Sequence, residues 1–130
     1  MRSTNRPWRL WNCFRDAGRG LASVVRTEPN FRIQLGILVC VIVAGFVFRV
    51  SLLEWLAIVM VAGLVVVAEV LNTALEYLAD ATHPEVDPGI GRAKDASAGA
   101  VLVASGAAVV VGLIIFLPKL WQWISTWGGA

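Results

Sequence analysis

Charge is what this chain has least of. Of its 130 residues, 15% are Asp, Glu, Lys or Arg, against roughly a quarter in an average soluble domain. Hydrophobic residues make up 58%, more than a soluble fold of this size has interior to hold. A soluble multidomain enzyme and a disordered tail are excluded. Cysteine is nearly absent too. Cys13 lies in an Arg-rich segment and Cys40 in an apolar run, so a disulfide-stapled mini-protein is excluded and no metal or redox cysteine motif exists. Histidine occurs once, at His83, which removes metalloprotease spacings and nucleophile–histidine pairs. No Gly-x4-Gly-Lys-Ser/Thr string occurs either, so there is no P-loop. What is left is one small membrane domain.

Its apolar residues gather in three runs: Ile33 to Phe48, interrupted by Gln34; Leu52 to Leu75, carrying Glu54, Glu69 and Asn72; and Ala96 to Leu117, without a charge. A helix needs about 20 residues to cross a hydrocarbon core of about 30 Å, and backbone in lipid must satisfy itself, so these runs predict helices. The alternation of a barrel is missing. The expected architecture is all-α: a surface helix over 8–27, a first span over 31–49, a second over 52–80 that extends beyond the membrane, a loop over 81–92 and a third span over 93–117. Trp11, Phe14, Gly18, Leu21 and Val25 fall on one face of the first helix, opposite Arg15, Arg19 and Arg26, the pattern of a helix lying on a membrane surface. Residues 1–32 hold seven arginines against Asp16 and Glu28. The positive-inside rule then places the N-terminus and the 81–95 region in the cytoplasm. Trp121, Trp123 and Trp127 read as an interfacial anchor on the far side, and Trp55 likewise. Ala96, Ala100, Ala104, Ala108 and Gly112 recur every fourth residue and admit a close helix neighbour. Three helices shield a polar interior poorly, so a homo-oligomer is expected.

A polar interior exists. On the second span Glu69, Thr73, Glu76 and Asp80 lie within about 40° of one line, with Asn72 about 60° to one side. Carboxylates at membrane depth cost on the order of 3 kcal/mol each and mark function. Glu69 and Glu76 are about 10.5 Å apart along the axis, too far to share a small cation, whereas Asn72 and Glu76 are one turn apart. Mg²⁺ takes one or two carboxylates plus phosphate oxygens and water. That makes Glu76 the metal candidate, with Glu28 as second carboxylate. Glu69 lies deeper, where a lipid hydroxyl would be presented, and suits a general base. Beyond the stripe, Gly89, Ile90 and Gly91 allow close backbone approach, and Arg92, Lys94 and Asp95 reach the start of the third span, where a helix N-terminus and cations favour phosphate.

Together Glu69-Val70-Leu71-Asn72-Thr73-Ala74-Leu75-Glu76, Asp80, Ala93-Lys94-Asp95, Ala98-Gly99-Ala100 and Glu28-Pro29-Asn30-Phe31-Arg32 resemble the small prokaryotic diacylglycerol kinase and undecaprenol kinase family, over about Phe14 to Leu117. The resemblance implies a homotrimeric enzyme of the bacterial inner membrane that moves the γ-phosphate of Mg-ATP to a lipid alcohol, at sites shared between subunits. It implies Glu69 as general base, Glu28 and Glu76 as metal ligands, and Glu28, Asn72, Glu76, Gly91, Arg92, Lys94 and Asp95 at the nucleotide. Arg9 and Glu69 are expected at the lipid substrate. Asn30-Phe31-Arg32-Ile33, Leu53-Glu54-Trp55 and Ile115-Phe116-Leu117-Pro118 look closer to the undecaprenol kinase branch, whereas Gly91-Arg92-Ala93-Lys94-Asp95 also resembles diacylglycerol kinases. The loop departs from the family at Val86-Asp87-Pro88, with its histidine earlier at His83-Pro84.

The expected activity is ATP-dependent phosphorylation of undecaprenol, with diacylglycerol as the alternative acceptor. The competing class, a small ion or proton conductor or an assembly subunit, needs polar residues across the full membrane depth; Leu56 to Ala68 offers none.

Overall fold

The computed structural model describes residues 7–82 and 87–127, with side chains over 10–82 and 87–126. They form four helices and no strand: α1 (Pro7–Thr27), α2 (Pro29–Val47), α3 (Leu52–Thr82) and α4 (Pro88–Trp127). The last three are each long and apolar enough to cross a membrane. The apolar face of α1, including Trp11 and Phe14, is exposed, and its end near Val24 is buried. A helix anchored at one end and greasy along one side is built to lie on a bilayer.

Each junction has a local cause. Glu28 precedes Pro29 and is extended (φ −99°, ψ 105°), as the clash with a proline ring demands; α1 and α2 meet at this corner. The first span ends two residues earlier than its expected limit of 49. The Val50 amide donates to Gly45 O at 3.0 Å and the Arg49 amide to Phe46 O at 3.2 Å, with Arg49 left-handed at φ 50°. This is a Schellman closure with arginine where glycine is usual. Ser51 then opens α3 with a capping box. The Glu54 amide donates to Ser51 Oγ at 3.3 Å, and the Ser51 amide to Glu54 Oε2 at 2.6 Å. Trp55 is half-buried: its ring packs on Phe46 with centroids 5.1 Å apart, over Gly45, where a Cβ would lie 2.5 Å from Cη2.

The expected loop over 81–92 is shorter than that, and the third span longer than 93–117. Asp87 caps α4: Oδ1 accepts from the amides of Gly89 (2.6 Å) and Ile90 (3.0 Å), and its carbonyl from Gly91 (2.9 Å). Aspartate at the cap and proline at the first position start a helix, and they outweigh two glycines. His83 and Val86 lie outside the described residues. At the other end α4 passes through Pro118. Proline forfeits one backbone bond, and the helix is secured beyond it where Lys119 Nζ meets Glu54 Oε1 at 3.1 Å.

α3 and α4 form an antiparallel hairpin in contact along its length, while α2 touches only α3 among the spans. Ala104 of the small-residue ladder is buried, whereas Ala96 and Ala100 are exposed. Val50, Ile58 and Ile115 form a core near the α2–α3 turn. Between α2 and the hairpin lies an apolar cleft of about 440 Å³, bounded by Phe31, Leu38, Val65, Val66, Ala108 and Gly112. Gln34 lies on its wall, with Oε1 buried and without a hydrogen-bond partner.

Candidate active site

Among the described residues the buried polar side chains are Glu69, 7% exposed, and Thr73, 2% exposed. Both lie on α3, on the stripe the periodicity picks out. Val65 and Val66, a turn away from Glu69, line the apolar cleft. Glu69 therefore lies a turn beyond residues that line the cleft.

Toward the α3–α4 turn the polar groups begin to pair. Asn72 Nδ2 donates to Glu76 Oε1 at 3.0 Å. Ser97 Oγ, on α4, lies 2.7 Å from Asn72 Oδ1 and 2.8 Å from the Lys94 carbonyl. Lys94 Nζ donates to Asp80 Oδ1 at 3.0 Å. At this end the hairpin is thus stitched twice across its helices, by Ser97–Asn72 and Lys94–Asp80. At the α1–α2 corner Glu28 is half-buried and takes the cap position of α2 without committing its carboxylate to a cap bond. Thr27 beside it is hydrogen-bonded to the Tyr77 hydroxyl.

Of the expected site residues, the structure joins Asn72 directly to Glu76, and Lys94 to the stripe through Asp80. Gly91, Arg92 and Asp95 are exposed on the first turns of α4; Gly91 donates its amide to the Asp87 cap. The Arg9 side chain lies outside the described residues. Ser97 and Tyr77 were not foreseen as site residues. Ser97 had a signal: it follows Lys94 by three residues, on the same helical face. The Tyr77–Thr27 contact joins residues 50 apart and has no local signature.

A divalent cation is the group such a donor set suits. The bond from Asn72 occupies one oxygen of Glu76 and leaves the other available, and Glu28 is uncommitted. Among the described residues no three His, Cys, Asp or Glu gather into a ready-made cage. An ion held here would complete its shell with phosphate and water, as Mg²⁺ does.

The fold and site define a three-span helical membrane protein with an acid, amide and ammonium cluster at the α3–α4 end. The sequence pattern of the prokaryotic diacylglycerol kinases matches residues 15–116, and the chain belongs to that family. It is therefore a membrane lipid kinase, and the kinase family uses ATP. An undecaprenol kinase of Bacillus subtilis is 39% identical over 112 residues, 86% of this chain and 91% of that protein. A diacylglycerol kinase of Synechocystis is 38% identical over 82% of this chain and 62% of its own length. A diacylglycerol kinase of Escherichia coli is 30% identical over 80% of this chain and 82% of its own.

Proposed function

We propose that this kinase phosphorylates undecaprenol to undecaprenyl phosphate. The observation that carries the reading is Glu69, a carboxylate buried in a spanning helix, between the apolar cleft and the Asn72–Glu76 pair. In the reaction the lipid hydroxyl oxygen attacks the γ-phosphorus, the bond from that phosphorus to the β–γ bridging oxygen breaks, and ADP leaves. Glu69 accepts the hydroxyl proton. Glu28 and Glu76 hold Mg²⁺, which when bound neutralises phosphate charge. Asn72, Gly91, Arg92, Lys94 and Asp95 bind and orient the nucleotide, as phosphoryl transfer by positioning and charge requires. Arg9 meets the lipid headgroup. The 39% identity to an undecaprenol kinase over most of both chains favours the polyprenol; the diacylglycerol kinase relatives keep diacylglycerol as the second acceptor.

The enzyme works as a homotrimer in the bacterial inner membrane, with its N-terminus and the α3–α4 turn in the cytoplasm. The seven arginines of residues 1–32 support the orientation. Radiolabelled ATP offered with equal undecaprenol and diacylglycerol tests the acceptor: label is expected mainly in undecaprenyl phosphate, and a strong diacylglycerol preference reverses the choice. Glu69→Gln is expected to lower kcat by about 10²- to 10⁴-fold, and Glu76→Gln to abolish labelling. Unchanged labelling in both variants refutes the assigned roles.

A further inference from the structure

The hydroxyl pair between Thr27 and Tyr77 stands in a telling place. Thr27 is the last residue of α1 and immediately precedes Glu28. Tyr77 immediately follows Glu76 on α3. The contact therefore ties together the neighbours of the two carboxylates that the proposed function gives to the metal. Thr27 Oγ1 also lies 3.1 Å from the Ser23 carbonyl, and when its one hydrogen is given there it accepts from the phenol.

The corner needs such a tie. Glu28 is extended and makes no side-chain cap bond, so local structure alone leaves its carboxylate free to choose among rotamers. On α1, which packs against both α2 and α3, Val24 near the corner is buried, an apolar burial without direction. A hydrogen bond adds direction. The Ser23 carbonyl and the phenol together limit the rotation of the Thr27 hydroxyl.

We propose that Tyr77 and Thr27 form a latch that holds the Glu28 corner in register with Glu76. They are positioning residues: neither touches the ion, and both set the distance between its ligands. This rests on Glu28 and Glu76 being the metal carboxylates.

The test uses the full chain in detergent micelles with Mn²⁺ and a non-hydrolysable ATP analogue, reading bound Mn²⁺ by electron paramagnetic resonance. Tyr77→Phe, which removes a single oxygen, is expected to weaken Mn²⁺ binding by about three- to tenfold, the equivalent of one hydrogen bond. Thr27→Val is expected to do the same, and the double variant to be no weaker than either single one. Thr27→Ser, which keeps the hydroxyl, restores wild-type binding. In turnover the Mg²⁺ requirement rises while the lipid KM stays as in wild type, a split that a general loosening of the fold does not produce. Wild-type Mn²⁺ affinity in Tyr77→Phe, or additive losses in the double variant, overturns the latch. Glu76→Gln separates the two layers. If it binds Mn²⁺ like wild type, the metal reading fails and the latch with it. If it binds weakly while Tyr77→Phe is unaffected, the latch alone fails.

Discussion

Asn72 and Glu76, one helical turn apart on α3, share a hydrogen bond of 3.0 Å in which the amide nitrogen donates to the carboxylate. Ser97 Oγ on the neighbouring helix lies 2.7 Å from the amide oxygen and 2.8 Å from the Lys94 carbonyl, and when its one hydrogen goes to the amide it holds that orientation. The amide is thereby prevented from turning its oxygen toward the carboxylate, where two acceptors would face each other. Serine on one span orients a carboxylate on another through an asparagine.

Ser97→Ala removes this control and leaves the helices in place, since alanine is smaller and suits the helix better. The expected result is a fall of about three- to tenfold in kcat/KM for ATP, with Ser97→Thr intermediate. Steady-state kinetics at saturating lipid measures it.

The Lys94–Asp80 pair calls for the opposite expectation on stability. Its 3.0 Å distance looks strong, but the side chains are 37% and 72% exposed, and water and salt screen exposed pairs so that they add little to stability. Asp80→Asn is expected to shift the thermal midpoint in micelles little. Lys94→Met, at similar stability, is expected to raise the KM for ATP by about tenfold or more, as the nucleotide role proposed for its ammonium requires. Equal destabilisation by both would mean that the pair is structural.

Gly45 is where α2 meets the Trp55 ring. A Cβ there would sit 2.5 Å from one ring carbon and 2.7 Å from another, closer than any packing allows. Gly45→Ala is expected to cost about 1–3 kcal/mol through forced displacement of the ring. Combining it with Trp55→Leu should recover part of the loss. Thermal unfolding of the single and double variants checks both.

Arg49 closes α2 at φ 50°, a conformation that costs a non-glycine residue about 1–2 kcal/mol. Arg49→Gly relieves it, less the entropy glycine adds to the unfolded chain. A net gain of up to about 1 kcal/mol is expected, seen as a higher midpoint in the same unfolding assay.

The spans and the acidic stripe were legible because both are periodic and local. Hydropathy finds α2, α3 and α4, and the 3.6-residue repeat puts Glu69, Thr73 and Glu76 on one line before any packing is known. Errors came where a local signal was outweighed. Pro88 and two glycines read as loop, yet Asp87 turns that same proline into a helix start. Periodicity puts Ser97 on the face of Lys94 but does not reveal its bond to Asn72, 25 residues away, and nothing local marks the Tyr77–Thr27 contact, 50 residues apart; no repeat within one helix reports a bond to the next.

The seclusion of Glu69 bears on waste. In the role proposed for it, a base beside a triphosphate would risk activating the commonest hydroxyl compound in the cell, water, and hydrolysing the nucleotide to no purpose. With 7% of its surface accessible and a hydrocarbon-lined passage alongside, this carboxylate meets few solvent molecules. An alcohol arriving from the bilayer is then its main rival for phosphate, and nucleotide turnover without a lipid acceptor should be slow.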